Sequence, residues 1–189
     1  MNNTKTNTAE EKMWFVLKTI FSSEMKIKEL LDKKQIDSFI PMCYKIKLVK
    51  GKKQKVLVPA INDLIFVHAA KKEIEDFKAE ILTIYKYKAY FLTRKEGLKR
   101  KIETIPEKQM REFIQVASHY DDDIKFFSPE EIELKKGTKV RVIGGVFDGV
   151  EGILLRVKGK THKRIVLQIP GLSVATSYVS PDLIEIIKD

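Results

Sequence analysis

Cysteine is almost missing from this sequence. Cys43 is the only one in 189 residues, so an intrachain disulfide cannot form and a structural metal site with several cysteine ligands is excluded. This usage is typical of a reducing compartment, and we expect a cytoplasmic protein. Cys43 lies in a strand-like run and is interpreted as a small core residue.

Long apolar runs are missing as well. None approaches the roughly 20 residues needed to cross a bilayer, and the polar stretch at residues 1–12 has no apolar segment of a secretory signal. We therefore expect no membrane association. Residues 1–12 are predicted to form a disordered tail.

The sequence also lacks recognisable catalytic and metal-binding motifs. His68, His119 and His162 are far apart in the sequence and have no metal-ligand spacing. The glycine-rich segment "GGVFDGVEG" lacks the Lys-Ser/Thr ending of a phosphate-binding loop. The sequence therefore predicts no enzyme, no metal and no cofactor.

Positive charge is abundant, with a formal net charge of +10. This balance favours nucleic acid, an acidic membrane surface or an acidic protein as partner. Residues 120–133 are the exception, because they hold six acidic residues against one lysine and contain Ser128-Pro129, a turn-forming pair. We predict an acidic linker there, between basic domains at 13–119 and 134–189.

The first domain alternates strand and helix patterns. "MWFVLKTI" predicts a buried strand, and "SSEMKIKELLDKKQ" predicts a helix with Ser22 or Ser23 as N-cap. A long hairpin with a basic tip at Lys50-Gly51-Lys52 follows, then a helix "KKEIEDFKAE" and a strand "ILTIYKYKAYFL". A final helix starts near Pro106, where Thr104 and Glu107 have capping-box spacing. This order predicts an α/β sandwich.

The second domain shows five strand-like runs, "TKVRVI", "VEGILLRV", "RIVLQI", "LSVATSYV" and "DLIEII". Glycines 144, 145 and 149 permit a sharp turn with positive φ between the first two runs, and Gly152 permits close approach of a neighbouring chain. Five short strands in so few residues predict a small barrel.

The stretch "VRVIGGVFDGVEGILLRV" resembles a KOW motif, a basic and apolar strand followed by a glycine loop with an aromatic residue and a second apolar strand. "MWFVLKTI" with its helix, and "FIPMCYKIKLVKGKKQKVLVPAINDLIFVHA", resemble an NGN domain. The chain is thus similar to NusG-type transcription elongation factors over residues 13–187. "IPEKQMREFIQVAS" and "VATSYVSPDLIEII" look most like UpxY-type antiterminators of polysaccharide operons.

The resemblance implies an α+β fold: an NGN sandwich of an antiparallel sheet flanked by helices, then a five-stranded SH3-like KOW barrel. It also implies a protein that binds the clamp helices of the largest RNA polymerase subunit and suppresses pausing and termination. Matching positions for this contact are Trp14, Leu64 and Phe66. Asn62-Asp63-Leu64 replaces the family's usual Pro-Gly-aromatic or Pro-Asn-aromatic step, and composition alone explains Trp14 as a core residue.

The family also implies that the KOW domain recruits a second factor, such as a ribosomal protein or a termination factor. Phe147 and Val150 match the partner-contact positions of its loop. We expect Phe147 to be exposed, because an apolar side chain on a glycine-flanked loop has little core to reach.

Lysines form the candidate nucleic-acid surface, since each phosphate contact adds salt-dependent affinity. The expected partner is non-template DNA or nascent RNA, and a solvated hairpin tip is the alternative interpretation. The candidates are Lys26, Lys50, Lys52, Lys53 and Lys55.

The leading hypothesis is a monomeric, non-catalytic elongation factor, with the barrel joined flexibly to the NGN domain. The alternative is a KOW-type ribosomal or structured-RNA-binding protein. That alternative predicts tight binding to free RNA without polymerase.

Overall fold

The computed structural model describes residues 11–119, 123–127, 137–157 and 161–187. Most of the predicted tail and much of the predicted acidic linker lie outside these ranges. The first sheet is antiparallel in the order β2, β5, β1, β6, with β9 also paired to β1. Its strands are β1 (Met13–Thr19), β2 (Asp37–Phe39), β5 (Leu64–Ala69), β6 (Ala89–Phe91) and β9 (Thr104–Ile105).

Both faces of this sheet are covered, which explains the continuous apolar runs of β1 and β5. On one face, Phe15, Leu17 and Ile65 pack beneath α1 (Glu24–Lys33) and α2 (Lys71–Tyr85). The predicted sandwich is confirmed. The predicted strand at 81–92 is wrong in its first part, because α2 continues through Tyr85 and ends where Lys86 takes a left-handed φ of 60°.

Helices α1 and α3 begin differently from the predicted N-caps. Ser23 occupies the N-cap position of α1, but its hydroxyl donates to the carbonyl of Ile20 at 2.7 Å. The Thr104 capping box is wrong, because Thr104 belongs to β9 and Pro106 is the N-cap of α3 (Glu107–Ala117). Glu107 instead accepts a hydrogen bond from Trp14.

Two hairpins stand apart from the main sheet as separate two-stranded ribbons. The first joins β3 (Met42–Val49) to β4 (Lys52–Pro59) and confirms the predicted hairpin with a basic tip. Lys50 and Gly51 both have positive φ, 49° and 77°, as a type I′ turn requires. The second joins β7 (Thr93–Glu96) to β8 (Lys99–Ile102).

The C-terminal sheet is antiparallel in the order β10, β14, β13, β12, β11, β15. All five predicted strands are present, and β10, from the predicted linker, adds a sixth. Phe126 of β10 packs against the buried face of the sheet. The strands are β10 (Lys125–Phe127), β11 (Thr138–Val142), β12 (Glu151–Arg156), β13 (Lys163–Ile169), β14 (Leu172–Ala175) and β15 (Ile184–Ile186).

Helix α3 lies between the two sheets and contacts β1 on one side and β13 and β14 on the other. Its buried residues Met110, Phe113 and Val116 belong to one hydrophobic cluster that includes both sheets. The structure therefore differs from the expected flexible arrangement, because the C-terminal sheet packs against the first domain. The sequence predicted α3 as the final helix of the first domain but not its contact with the second sheet.

Candidate functional site

The three predicted contact residues share one face of the first sheet. In the antiparallel pairing of β1 with β5, Trp14 is opposite His68, Val16 is opposite Phe66 and Lys18 is opposite Leu64. Directly opposed side chains point to the same side of a sheet. This is the face that α3 and the C-terminal sheet cover, so the structure brings the three residues together but buries them.

Trp14 is held by polar and aromatic contacts at the start of α3. Its indole N–H donates to a Glu107 carboxylate oxygen at 2.9 Å, and its ring stacks on His68 with centroids 5.0 Å apart. Burial of the ring with its N–H paired is the arrangement that a buried tryptophan needs. Trp14 is therefore part of the packing between the sheet and α3.

Phe66 is fully buried at the centre of the same face. Its ring centroid lies 5.8 Å from that of Phe113 on α3, and Phe39 of β2 contacts Phe113 from the side at 6.5 Å. This aromatic cluster fixes α3 on the sheet, so Phe66 cannot meet another protein while α3 is in place.

Leu64 lies at the margin of the face, directly beneath the turn between β13 and β14. A Cβ added at Gly171 in that turn would lie 3.5 Å from Leu64 Cδ1 and 3.3 Å from Leu92 Cδ2. The φ of 84° at Gly171 is the reason for glycine in this turn, and the added Cβ would make only an ordinary van der Waals contact with Leu64. Of the three predicted contact residues, Leu64 is the one that this turn covers directly.

Polar contacts join α3 to the C-terminal sheet. Lys108 Nζ lies 2.8 Å from Glu151 Oε1 on β12, and Arg141 of β11 lies 2.7 Å from the same oxygen. Hydrogen bonds from Lys108 and Arg141 hold the pKa of Glu151 below its usual range. The hydrogen bond to Glu151 raises the pKa of Lys108, and burial raises the pKa of Glu112 beside it.

Two glutamines of α3 extend this contact. Gln109 donates to the carbonyl of Gln168 at 2.7 Å, and Gln115 donates to the carbonyls of Val146 and Asp148 in the glycine loop at 3.1 and 3.3 Å. Sequence reasoning missed these residues. Their only sequence signal is the polar side of an amphipathic helix, which ordinarily faces water.

The glycine loop holds Phe147 and Val150 in the interior. Phe147 is 4% exposed and contacts the His119 ring edge-on at 5.0 Å, and Val150 is fully buried. The expected exposure of Phe147 is therefore not observed, because its ring contacts His119, two residues after α3, and belongs to the hydrophobic cluster that includes α3. Their partner role stays a prediction.

The predicted lysines do not form one patch. Lys53 and Lys55 share a hairpin face with Tyr44, Ile46 and Leu48, because Lys53 pairs with Leu48 and Lys55 with Ile46. Lys55 Nζ lies over the Tyr44 ring, 4.8 Å from its centroid. Lys52 points to the opposite face and Lys50 lies in the turn.

Lys26 is separate from the hairpin. It lies on α1, where its ammonium group is 5.9 Å from the Tyr87 ring centroid. Among the residues that the structure describes, no group of three or more His, Cys, Asp or Glu could hold a metal ion. The described helices include none long and apolar enough to cross a membrane.

A family model described as "Transcription termination factor nusG" matches residues 12–114, more than half of the chain. The chain belongs to the NusG family. No curated protein matches the sequence. A solved structure described as "Domain interaction in Thermotoga maritima NusG" is 18% identical, has a TM-score of 0.45, and covers 94% of this chain and 98% of its own. An MjSpt4:Spt5 complex is also 18% identical, with a TM-score of 0.28 and the same coverage.

NusG-family membership agrees with the α+β architecture described above. The family match covers β1 through most of α3, which includes the sheet face with Trp14, Leu64 and Phe66. It is a family of non-enzymatic transcription elongation and antitermination factors. The sheet-rich C-terminal region is consistent with a KOW domain.

Proposed function

We propose that this NusG-family protein is a cytoplasmic, monomeric and non-catalytic antitermination factor that binds RNA polymerase and suppresses pausing and termination. Its target class is the polysaccharide-biosynthesis operon, as for the UpxY-type proteins that its sequence resembles. The contact is assigned to the clamp helices of the largest polymerase subunit and the β1–β5 face, where Leu64 makes the direct contact and Trp14 and Phe66 support the face beneath α3. The observation that supports it is the placement of Trp14, Leu64 and Phe66 on one sheet face within the family match.

Because the C-terminal sheet covers part of this face, the affinity for polymerase depends on how often the protein opens. Leu64 is 4% exposed beneath the Gly171 turn, so polymerase can reach it only when the C-terminal sheet moves away. A protein that binds only in its open form has its affinity reduced by the fraction that is open. Polymerase therefore has to bind the open form more tightly than the closed form in order to shift the equilibrium.

Supporting contacts are proposed for the other predicted surfaces. The β3–β4 hairpin combines Lys53 and Lys55 with the exposed ring of Tyr44, a composition that suits the exposed non-template strand or nascent RNA. In the open form, Phe147 and Val150 lose the cover of α3. They then become available to a ribosomal protein or termination factor.

The test is retention of core RNA polymerase by the immobilised full-length protein. Phe66→Glu is unsuitable because it places a charge inside the Phe113 cluster and unfolds the domain. Leu64→Asn is preferred, and it is made in a Lys108→Glu/Gln109→Ala/Gln115→Ala background that removes the polar contacts of α3 with the C-terminal sheet. Because Leu64 lies under the Gly171 turn, its loss by itself favours opening, so a fall in retention reports on the contact with polymerase and not on closure.

We expect the triple variant to retain more polymerase than the wild type, and Leu64→Asn to reverse this gain. Leu48→Asn in the same background is the matched control, because Leu48 is an exposed leucine on the distant hairpin. If Leu48→Asn lowers retention and Leu64→Asn does not, the contact face is assigned wrongly. Strong binding of wild-type protein to free structured RNA, with no retention of polymerase, would support the ribosomal-type alternative.

A further inference from the structure

The β7–β8 ribbon carries like charges directly opposite one another. Arg94 pairs with Lys101 and Lys95 pairs with Arg100 across the two strands. Like charges in directly opposed positions destabilise a sheet, and an isolated two-stranded ribbon is only marginally stable in water. The ribbon therefore has an unfavourable charge arrangement that an anionic partner would relieve.

The two faces of the ribbon differ in whether acidic residues neutralise their positive charges. On one face, Arg94 lies 3.2 Å from Glu103, and Lys101 lies 3.8 Å from Glu96. On the other face, neither Lys95 nor Arg100 has an acidic partner among the described residues. Both side chains are exposed, so this face presents two adjacent uncompensated cations to solvent.

The ribbon tip has a different chemistry. Gly97 has a φ of 63° and begins a two-residue turn, and Leu98 beside it is fully exposed. A leucine at the end of a cationic ribbon resembles the apolar wedges that minor-groove proteins insert between base steps.

We propose that the β7–β8 ribbon, residues 93–102, is a binding site for double-stranded DNA. Lys95 and Arg100 contact backbone phosphates, and Leu98 makes an apolar contact in the groove. Residues 93–102 include no aromatic side chain, which argues against a platform for stacking single-stranded bases. One leucine is too little apolar area to hold the protein at a lipid surface.

This site is separate from the surfaces proposed above. The β3–β4 hairpin is inserted between β2 and β5, whereas the ribbon is inserted between β6 and β9 at the opposite edge of the sheet. Three strand spacings separate those edges, or about 14 Å. The ribbon and the hairpin are therefore two distinct cationic surfaces at opposite edges of the sheet.

The experiment measures binding of the full-length protein to a 20-base-pair DNA duplex by fluorescence anisotropy over a range of salt concentrations. Because each phosphate contact contributes about 0.9 to the salt slope, Lys95→Gln/Arg100→Gln is expected to reduce the slope by about 1.8. At 0.1 M salt, this corresponds to a loss of affinity of roughly 10- to 60-fold. Leu98→Ser is expected to weaken binding without changing the slope.

Lys71→Gln/Lys72→Gln is the matched control, since it removes the same charge from the start of α2, where lysine is unfavourable to the helix. An equal loss in this control would mean that only net charge matters and would overturn the proposal. Ribbon-dependent binding that is tighter to a 20-nucleotide single strand or to anionic phospholipid vesicles would overturn it as well. Circular dichroism of each variant checks the fold, and removal of like-charge repulsion is expected to leave it intact.

Discussion

At the scale of single residues, glycine positions show both what sequence indicates and where it stops. The sequence predicted a close approach at Gly152, and this is confirmed because an added Cβ would lie 2.8 Å from the Val166 carbonyl oxygen. The predicted positive φ of Gly144 and Gly149 is also confirmed. Gly171 was not identified, although its φ of 84° is a local reason for glycine, and its position over Leu64, more than 100 residues away, has no local signal.

Gly152→Ala is expected to destabilise the C-terminal sheet. Its Cβ would also lie 2.7 Å from Ile165 Cγ2, and the carbonyl of Val166 is a backbone atom that cannot rotate away. Overpacking of this kind costs about 1–3 kcal/mol. Gly149→Ala is the control, since nothing lies within 4 Å of its Cβ and only its φ of 78° opposes the change. Urea unfolding that ranks Gly149→Ala as the more harmful variant would contradict the packing argument.

At the scale of elements, local pattern predicted strands and helices well when their neighbours were also local. The β3–β4 hairpin and the five C-terminal strands followed from alternation and turn residues. The end of α2 could not be predicted in this way. The segment "ILTIY" is apolar enough for a strand, and it is the burial of Ile81 against the sheet that favours the helix. Strand β10 was missed because its pairing partner, β14, is about 50 residues away.

The turn of the β3–β4 hairpin offers a test at this scale. Lys50 has a φ of 49° in a type I′ turn, a position where asparagine is favoured and lysine is strained. Lys50→Asn is therefore expected to raise the free energy of unfolding by up to about 1 kcal/mol while removing one positive charge. If Lys50 contacts a phosphate, the same variant lowers the salt slope of single-strand binding by about 0.7. Lower stability in urea unfolding would show that the strain argument is wrong.

At the scale of the whole molecule, the arrangement of the two domains is the feature that sequence predicted least. Both domains were expected from their separate patterns, but α3 packs on both, through Phe113 on one side and Gln109 and Gln115 on the other. A helix with an apolar stripe and polar flanks gives no indication that its flanks bind a second sheet. The three predicted contact residues share one face and their role stays a prediction, whereas the cover of that face comes from long-range contacts.

Glu151 makes the contact between the domains dependent on pH. Its pKa is held below the usual range by Lys108 of α3 and Arg141 of β11, so its contribution to stability is complete above the ordinary glutamate pKa and is lost as pH falls through the lowered value. The raised pKa of Lys108 adds stability that is lost only in strongly alkaline solution. Glu112 acts in the opposite direction on acidification, because burial raises its pKa. Comparison of wild type with Glu151→Gln tests the Glu151 carboxylate together with its effects on the pKa values of Lys108 and Glu112. We expect the difference in their unfolding free energies to be constant from about pH 6 to 9 and to decrease as the pH falls below the ordinary glutamate pKa of about 4.3. A difference that stays constant down to pH 3 would mean that the carboxylate charge does not hold α3 against the C-terminal sheet.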